Sequence, residues 1–265
     1  METQAALQLA NSISAWIRDY VEQAKLSGLV VGISGGIDSA VVSTLCARSG
    51  LPTTVLSMPI RQRAEQDHLS REHGRWLVAN YPDRVTHRVI DLSQTFTEFE
   101  RATGQFGFKN LLGLANSRSR LRMACLYQTA QSLNSLVVGT GNRVEDFGVG
   151  FFTKYGDGGV DISPIGDLNK TEVWDIGRAL GIYKAIIDAP PTDGLWDDGR
   201  TDQDQLAGLT YPELEHAMDL DESGVPEYTL NDEDQVLLGQ YRRIRGPDLH
   251  KMLPIPVFKK GPKHV

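Results

Sequence analysis

Ser34-Gly35-Gly36-Ile37-Asp38-Ser39 stands between a short apolar run, Leu29 to Ile33, and an apolar pattern of helical period. Glycines let backbone N–H groups turn inward and approach an anion closely. The helix that follows adds its positive N-terminus. Ser34 and Ser39 contribute hydroxyl donors. Asp38 alone would repel phosphate, and it makes sense beside Mg²⁺, which bridges carboxylate and phosphate oxygens. The spacing predicts a phosphate cradle with its own metal ligand. The competing reading is an ordinary strand-to-helix turn with Asp38 as a helix cap. Such a pattern of five fixed residues arises by chance about once in 10⁶ positions. It is not a Walker loop, because the terminal Gly-Lys-Ser/Thr is absent.

A second chemical stretch runs from residue 137 to 174. The strand predicted at 135–139 ends at the same sheet edge as the cradle, and Thr140 and Glu145 follow it. Glu145 offers a carboxylate opposite Asp38 to complete a Mg²⁺ site, with the adjacent Asp146 as the alternative ligand. "FFTKYGDGG" supplies rings that stack on a flat heteroaromatic group, and Lys154 to meet phosphate or carboxylate. Lys170 is predicted at a helix start, where a cation is unfavourable unless an anion is bound. Taken singly, Phe151 and Phe152 read equally well as core, Glu145 and Asp161 as solvated charges, and His250 as surface. As a cluster they read as a site.

The elements that must position these residues alternate. An amphipathic helix is expected over 5–26, with Leu9, Ile13, Trp16, Ile17 and Tyr20 at helical spacing. Strands are expected at 29–33, 53–58, 85–90 and 135–139, with helices near 38–48, 62–80 and 117–133 between them. That alternation, about 30 residues per unit, predicts an α/β fold, a doubly wound open parallel sheet with helices on both faces. Ligands in such sheets sit beyond the carboxyl ends of the strands. Further helices are expected at 170–180, 211–219 and 231–244. Segments 93–115 and 190–210 resist assignment and are expected to be long loops that close over bound ligands.

The 265 residues, 40% of them hydrophobic, suffice for one substantial core and a single domain over 1–265. A net charge of -7 gives no nucleic-acid footprint. Cys46 and Cys125 form no C-x-x-C pair, which fits a reducing cytoplasm. No apolar run approaches a membrane span, and the N-terminus does not read as a signal peptide.

"GISGGIDS" resembles the signature of the ATP pyrophosphatase-type enzymes, of the adenine nucleotide alpha-hydrolase-like fold. "RSRLRM", "GTGNRVED", "GFFTKYGDGGVDISPIGDLNK", "APPTDGLW" and "HKMLPIP", in that order, resemble the ammonia-dependent NAD synthetases over nearly the whole chain. The resemblance implies amidation of deamido-NAD by ammonia through an adenylate, with ATP cleaved to AMP and pyrophosphate. It implies that Gly32, Ile33, Ser34, Gly35, Gly36, Ile37, Asp38 and Ser39 hold ATP, together with Thr140, Lys170 and Thr192. Asp38 and Glu145 would bind Mg²⁺. Arg120, Lys154, Asp161, His250 and Lys251 would bind deamido-NAD, and Asp157 would position or deprotonate the ammonia. Where many members carry Asp-His-Ala-Ala-Glu after Gly-Thr, this chain has Gly141 to Glu145, and one extra residue precedes "FFTKY". About 28 residues precede the first strand and include no cysteine, so no glutaminase domain is expected there, and ammonia comes free or from a partner protein. A homodimer whose interface completes the dinucleotide site is expected too, from the resemblance and from the amphipathic N-terminal helix with Trp16 and Tyr20. The alternatives are a GMP synthetase-like ligase and a non-catalytic ATP sensor of the same fold.

Overall fold

The computed structural model describes residues 1–192, 194–196 and 201–260. Strands β1 (Gly28–Gly32), β2 (Thr53–Ser57), β3 (Val85–Val89) and β4 (Ser135–Val138) form one sheet in the order β3-β2-β1-β4. Every pairing is parallel, with Val31 level with Val55 and with Val138. A further parallel bridge joins Val138 to Ile162, which begins to extend the sheet beyond β4.

Successive residues of β1 face opposite sides, and both sides are covered, so the strand is apolar throughout. Leu29 and Val31 pack into one core with α1 (Thr3–Gln23), α2 (Ile37–Arg48) and α6 (Lys170–Ala179). Val30, Leu56 and Val137 face the other way, against Leu126 and Ala130 of α5 (Leu111–Ser132). In α1 the buried stripe is Ala6, Ala10, Ile13, Ile17 and Val21. Trp16 and Tyr20, expected on the apolar face, remain 45% and 41% exposed.

The remaining helices are α3 (Ala64–Asn80), α4 (Ser93–Gly104), α7 (Lys184–Ile187), α8 (Asp202–Gln205), α9 (Tyr211–Ser223) and α10 (Asp232–Met252). A second core, built on Val144, Leu206, Leu214, Met218, Leu238 and Tyr241, ties α9 and α10 to the segment after β4. That segment, Arg143–Val149, is a π-helix. Its wider turn lies where the sequence carries one extra residue before "FFTKY", and such bulges are frequent at functional sites.

Two sequence expectations change. The expected loop 93–115 is mostly helical: α4 takes its first half, Phe96 is buried, and α5 starts at Leu111 rather than near 117 because Asn110 caps it, accepting from Gly113 N at 2.8 Å. In 190–210, residues 201–206 are ordered by Thr201 capping α8, whereas residue 193 and residues 197–200 lie outside the described residues.

Candidate active site

The cradle is built at the carboxyl end of β1. Gly35 has φ +93°, and a Cβ there would sit 2.7 Å from the carbonyl oxygen of Gln66 in α3, so only glycine fits this turn. Ser34 N donates to Ser39 Oγ at 3.1 Å, Gly36 N donates to Ser34 Oγ at 3.1 Å, and Ser39 Oγ donates to Gly36 O at 3.0 Å. The loop is therefore held in shape by its own hydroxyls.

Asp38 is not a helix cap. Gly36 occupies the cap position of α2, and the Asp38 side chain turns away to Lys170 and Asn142. Lys170 Nζ lies 2.5 Å from Asp38 Oδ2 and 2.8 Å from Glu145 Oε1, and the lysine side chain is only 2% exposed. Burial alone would neutralise Lys170, but the two carboxylates outweigh it and push its pKa up. Burial raises Asp38, with Lys170 pulling the other way. Burial opposes the charge of Glu145 as well, yet Lys170 and the Tyr211 hydroxyl hold it below its ordinary value.

Asn142 joins the two acids. Its Oδ1 accepts from Val144 N and Glu145 N at 3.0 and 3.1 Å, opening the π-helix, and its Nδ2 donates to Asp38 Oδ1 at 3.1 Å. Asn142 is fully buried. Two carboxylates from separate elements thus meet at one cation, the Lys170 ammonium, and their oxygen donors and charge are of the kind that fits Mg²⁺. Among the described residues no group of three or more His, Cys, Asp or Glu side chains could hold a metal, so the protein would offer two ligands and leave the rest to substrate and water.

Asp146 points elsewhere than Glu145. Its carboxylate lies where a Cβ on residue 141 would be, which accounts for Gly141. Burial pushes its pKa well up, and the negative charges of Asp157, Glu145 and Asp38 add to this. Asp157 Oδ1 accepts from Ser119 Oγ at 2.6 Å and from Thr153 N at 3.1 Å, and Ser119 Oγ accepts from Asp157 N at 2.8 Å. One oxygen of Asp157 is thereby fixed by the α5 helix.

A chain of polar contacts links four of the residues expected to bind the dinucleotide. Arg120 Nε donates to Lys154 O at 3.3 Å, Lys154 Nζ to His250 O at 3.2 Å, and Lys251 Nζ to Phe152 O at 2.9 Å. The C-terminal end of α10 is thus seated on "FFTKY". Asp161 is used internally: Oδ2 accepts from Val137 N at 2.8 Å and Oδ1 from Tyr127 Oη at 3.0 Å. Thr140 follows β4 directly, and Thr192 is exposed, with its hydroxyl accepting from Gly194 N at 3.2 Å.

Three residues at this site escaped the sequence reading: Asn142, Ser119 and Tyr211. Asn142 had a legible signal, since a cap-type residue three positions before a glutamate, here Glu145, announces a helix start. Tyr211 Oη donates to Glu145 Oε1 at 2.6 Å across 66 positions, which no local pattern reveals. A separate cleft of about 460 Å³, lined by Arg48, Tyr81 and Arg84, lies at the opposite end of the sheet, where β2 and β3 begin.

The NAD synthase family model matches residues 9–245. The chain is 42% identical over 207 residues to the NH(3)-dependent NAD(+) synthetase of Carboxydothermus hydrogenoformans, covering 76% of this chain and 80% of that one. The structure of NMN synthetase from Francisella tularensis superposes with a TM-score of 0.80 at 30% identity, covering 99% of both chains. The NH3-dependent NAD synthetase of Campylobacter jejuni has the same fold, with a TM-score of 0.75 at 24% identity over 98% of this chain and all of that one.

Proposed function

The chain belongs to the NAD synthase family, and on that premise we propose how its pocket works. The enzyme is a ligase that makes NAD from deamido-NAD and ammonia, with ATP as co-substrate. The cradle from Gly32 to Ser39, at the N-terminus of α2, holds the ATP phosphates. Thr140 and Thr192 flank the nucleotide. Asp38 and Glu145 hold Mg²⁺, which when bound neutralises phosphate charge. Lys170 turns from these carboxylates to a phosphate oxygen. The observation that carries this reading is the meeting of Asp38, Glu145 and Lys170 beside the Ser-Gly-Gly turn.

Arg120, Lys154, His250 and Lys251 hold deamido-NAD, with Asp161 at the margin of that subsite. A nicotinate carboxylate oxygen attacks the α phosphorus, the bond to the bridging oxygen breaks, and pyrophosphate leaves. Lys170 and the cradle N–H groups stabilise the charge that develops. Asp157, fixed through one oxygen, keeps the other for the incoming nitrogen. It holds ammonium and takes its proton, the free ammonia attacks the acyl carbon, and AMP departs with the former carboxylate oxygen. No side-chain nucleophile is needed.

The reading includes a homodimer in a reducing cytoplasm, acting as one domain. Phe106, Phe108, Leu111 and Leu112 at the α4–α5 corner are 72%, 71%, 73% and 56% exposed, an apolar patch that a second copy would cover. No helix is long and apolar enough to cross a membrane among the described residues.

The test is AMP release in the presence of ammonium and a panel of carboxylated nucleotides. Deamido-NAD should release AMP and NAD in equal amounts, and ATP alone should release none. Because the Francisella neighbour is called an NMN synthetase, the panel includes the carboxylate form of that mononucleotide. Faster turnover of the mononucleotide would move the substrate assignment to the shorter molecule. AMP release without any carboxylated nucleotide would overturn the reading.

A further inference from the structure

We infer that Tyr211 is a positioning residue for the metal carboxylate, fixing Glu145 through its hydroxyl and joining it to the α8 segment. The inference rests on the reading of Glu145 as a Mg²⁺ ligand.

Tyr211 is the first residue of α9 and is held from three sides. Thr210 caps the helix in a reciprocal box with Glu213, and Pro212 follows within the first turn. The backbone of the tyrosine is therefore fixed. Its ring meets Trp174 edge-on, with centroids 5.6 Å apart and planes at 89°. It is 7% exposed. A ring so packed has one way to aim its hydroxyl, and that hydroxyl lies 2.6 Å from Glu145 Oε1 and 3.3 Å from Asp202 Oδ2.

One phenol has one proton to give. The shorter contact, to Glu145, takes it. A phenol hydroxyl carries its proton at neutral pH and so is a donor here. Lys170 Nζ and Tyr211 Oη both donate to Glu145 Oε1. When Lys170 turns to phosphate, Tyr211 is the contact that keeps the carboxylate aimed. Partners of this kind orient the ligands of a metal and typically govern affinity as much as geometry. Asp202 brings in a second element, α8: its N–H donates to Pro191 O at 3.1 Å, so the hydroxyl lies where the start of α8 meets the metal carboxylate.

The experiment is Mn²⁺ binding, read by electron paramagnetic resonance, to the full chain with α,β-methylene-ATP. Wild type, Tyr211→Phe, Glu145→Gln and the double variant form a cycle. Tyr211→Phe removes one oxygen and leaves the ring packed against Trp174. It should weaken Mn²⁺ binding about 10-fold or more. In the Glu145→Gln background it should change nothing further, and p-aminophenylalanine at 211, which keeps a donor on the ring, should restore affinity. Unchanged binding in Tyr211→Phe would overturn the inference while leaving Glu145 as a ligand. An equal loss in both backgrounds would overturn it too, because the tyrosine would then act independently of Glu145. Unchanged binding in Glu145→Gln alone would overturn both this inference and the ligand reading.

Discussion

Lys170 Nζ lies 2.5 Å from Asp38 Oδ2, in a site where the lysine is all but sealed from water. The pair spans 132 positions and joins the start of α2 to the start of α6. A cation at a helix N-terminus opposes the dipole, and here two carboxylates override it. On the proposed reading, lysine and divalent metal compete for one place. Ligand-free protein should therefore bind Mn²⁺ weakly, and ATP, by drawing the ammonium to phosphate, should open the site. Lys170→Met should lose about 3–5 kcal/mol of stability, since one buried partner is removed. Added Mg²⁺ should recover part of that loss in a thermal melt, while wild type hardly responds. A Lys170→Met melt indifferent to Mg²⁺ would separate the lysine site from the metal site.

Asp38→Asn should fold, because the Asp38 side chain caps nothing and Asn can still meet Asn142. Turnover should drop by about 10²-fold or more through loss of the metal charge. Circular dichroism and steady-state AMP release check the two halves. Near-normal turnover at saturating Mg²⁺ would remove Asp38 from the metal site.

The sheet, its order of elements and the cradle were legible because each rests on local pattern. β1 reads as an uninterrupted apolar run since both its faces are covered, and Ser34 to Ser39 announces itself through two adjacent glycines. Segment 93–115 reads as a loop because of its glycines, whereas α4 runs to Gly104 and Asn110 caps a new helix at Leu111. Trp16 and Tyr20 counted as apolar by type, yet the stripe that packs is made of smaller residues, Ala6 and Ala10, which let α1 lie close to its neighbours. The choice of Glu145 over Asp146 was open in sequence, since both follow Val144. The π-helical turn aims the first at Lys170 and Tyr211 and the second at Gly141. Tyr211 and Ser119 act across long separations, and nothing within ten residues of either signals the partner.

His73 sets a pH limit on stability. It is 2% exposed, its Nε2 lies 2.9 Å from Ser43 Oγ, and its ring stacks on Trp76. Burial pushes its pKa down to about 4 from an ordinary 6.5. The unfolded chain takes up the proton first, so the contribution is full above about pH 6.5 and is lost as pH falls toward 4. The loss is about 3 kcal/mol. Urea midpoints at pH 7 and pH 5 should diverge in wild type and diverge less in His73→Gln. Equal divergence in both would place the acid sensitivity elsewhere.

Placing a charge on the α4–α5 corner should split the proposed dimer. Leu111 is exposed and caps no core, so Leu111→Asp should leave the monomer folded. Sedimentation should report two chains for wild type and one for the variant at the same concentration. A Leu111→Asp protein that still sediments as two chains would move the interface to another face.

The isolated chain should use ammonia and fail with glutamine. Hydrolysis of glutamine by a thiol needs an activated thiolate in a pocket of its own. Cys46 is fully buried in α2, where burial drives its thiol far above the usual range, and burial raises Cys125 in the same direction. Neither forms a thiolate near neutral pH. On the proposed reading the nitrogen reaches the adenylate as free ammonia, with Asp157 receiving the ammonium proton. Ser119→Ala frees the oxygen that Ser119 now holds at 2.6 Å, so it should raise the KM for ammonium and leave the KM for ATP near its wild-type value. At limiting total ammonium the rate should climb with pH, because only the unprotonated species has a lone pair to attack with. The assay supplies ATP and deamido-NAD with either ammonium or glutamine freed of ammonia. NAD formed equally fast from glutamine would require a hydrolytic site that neither cysteine can provide, and an unchanged ammonium KM in Ser119→Ala would take Asp157 out of the nitrogen step.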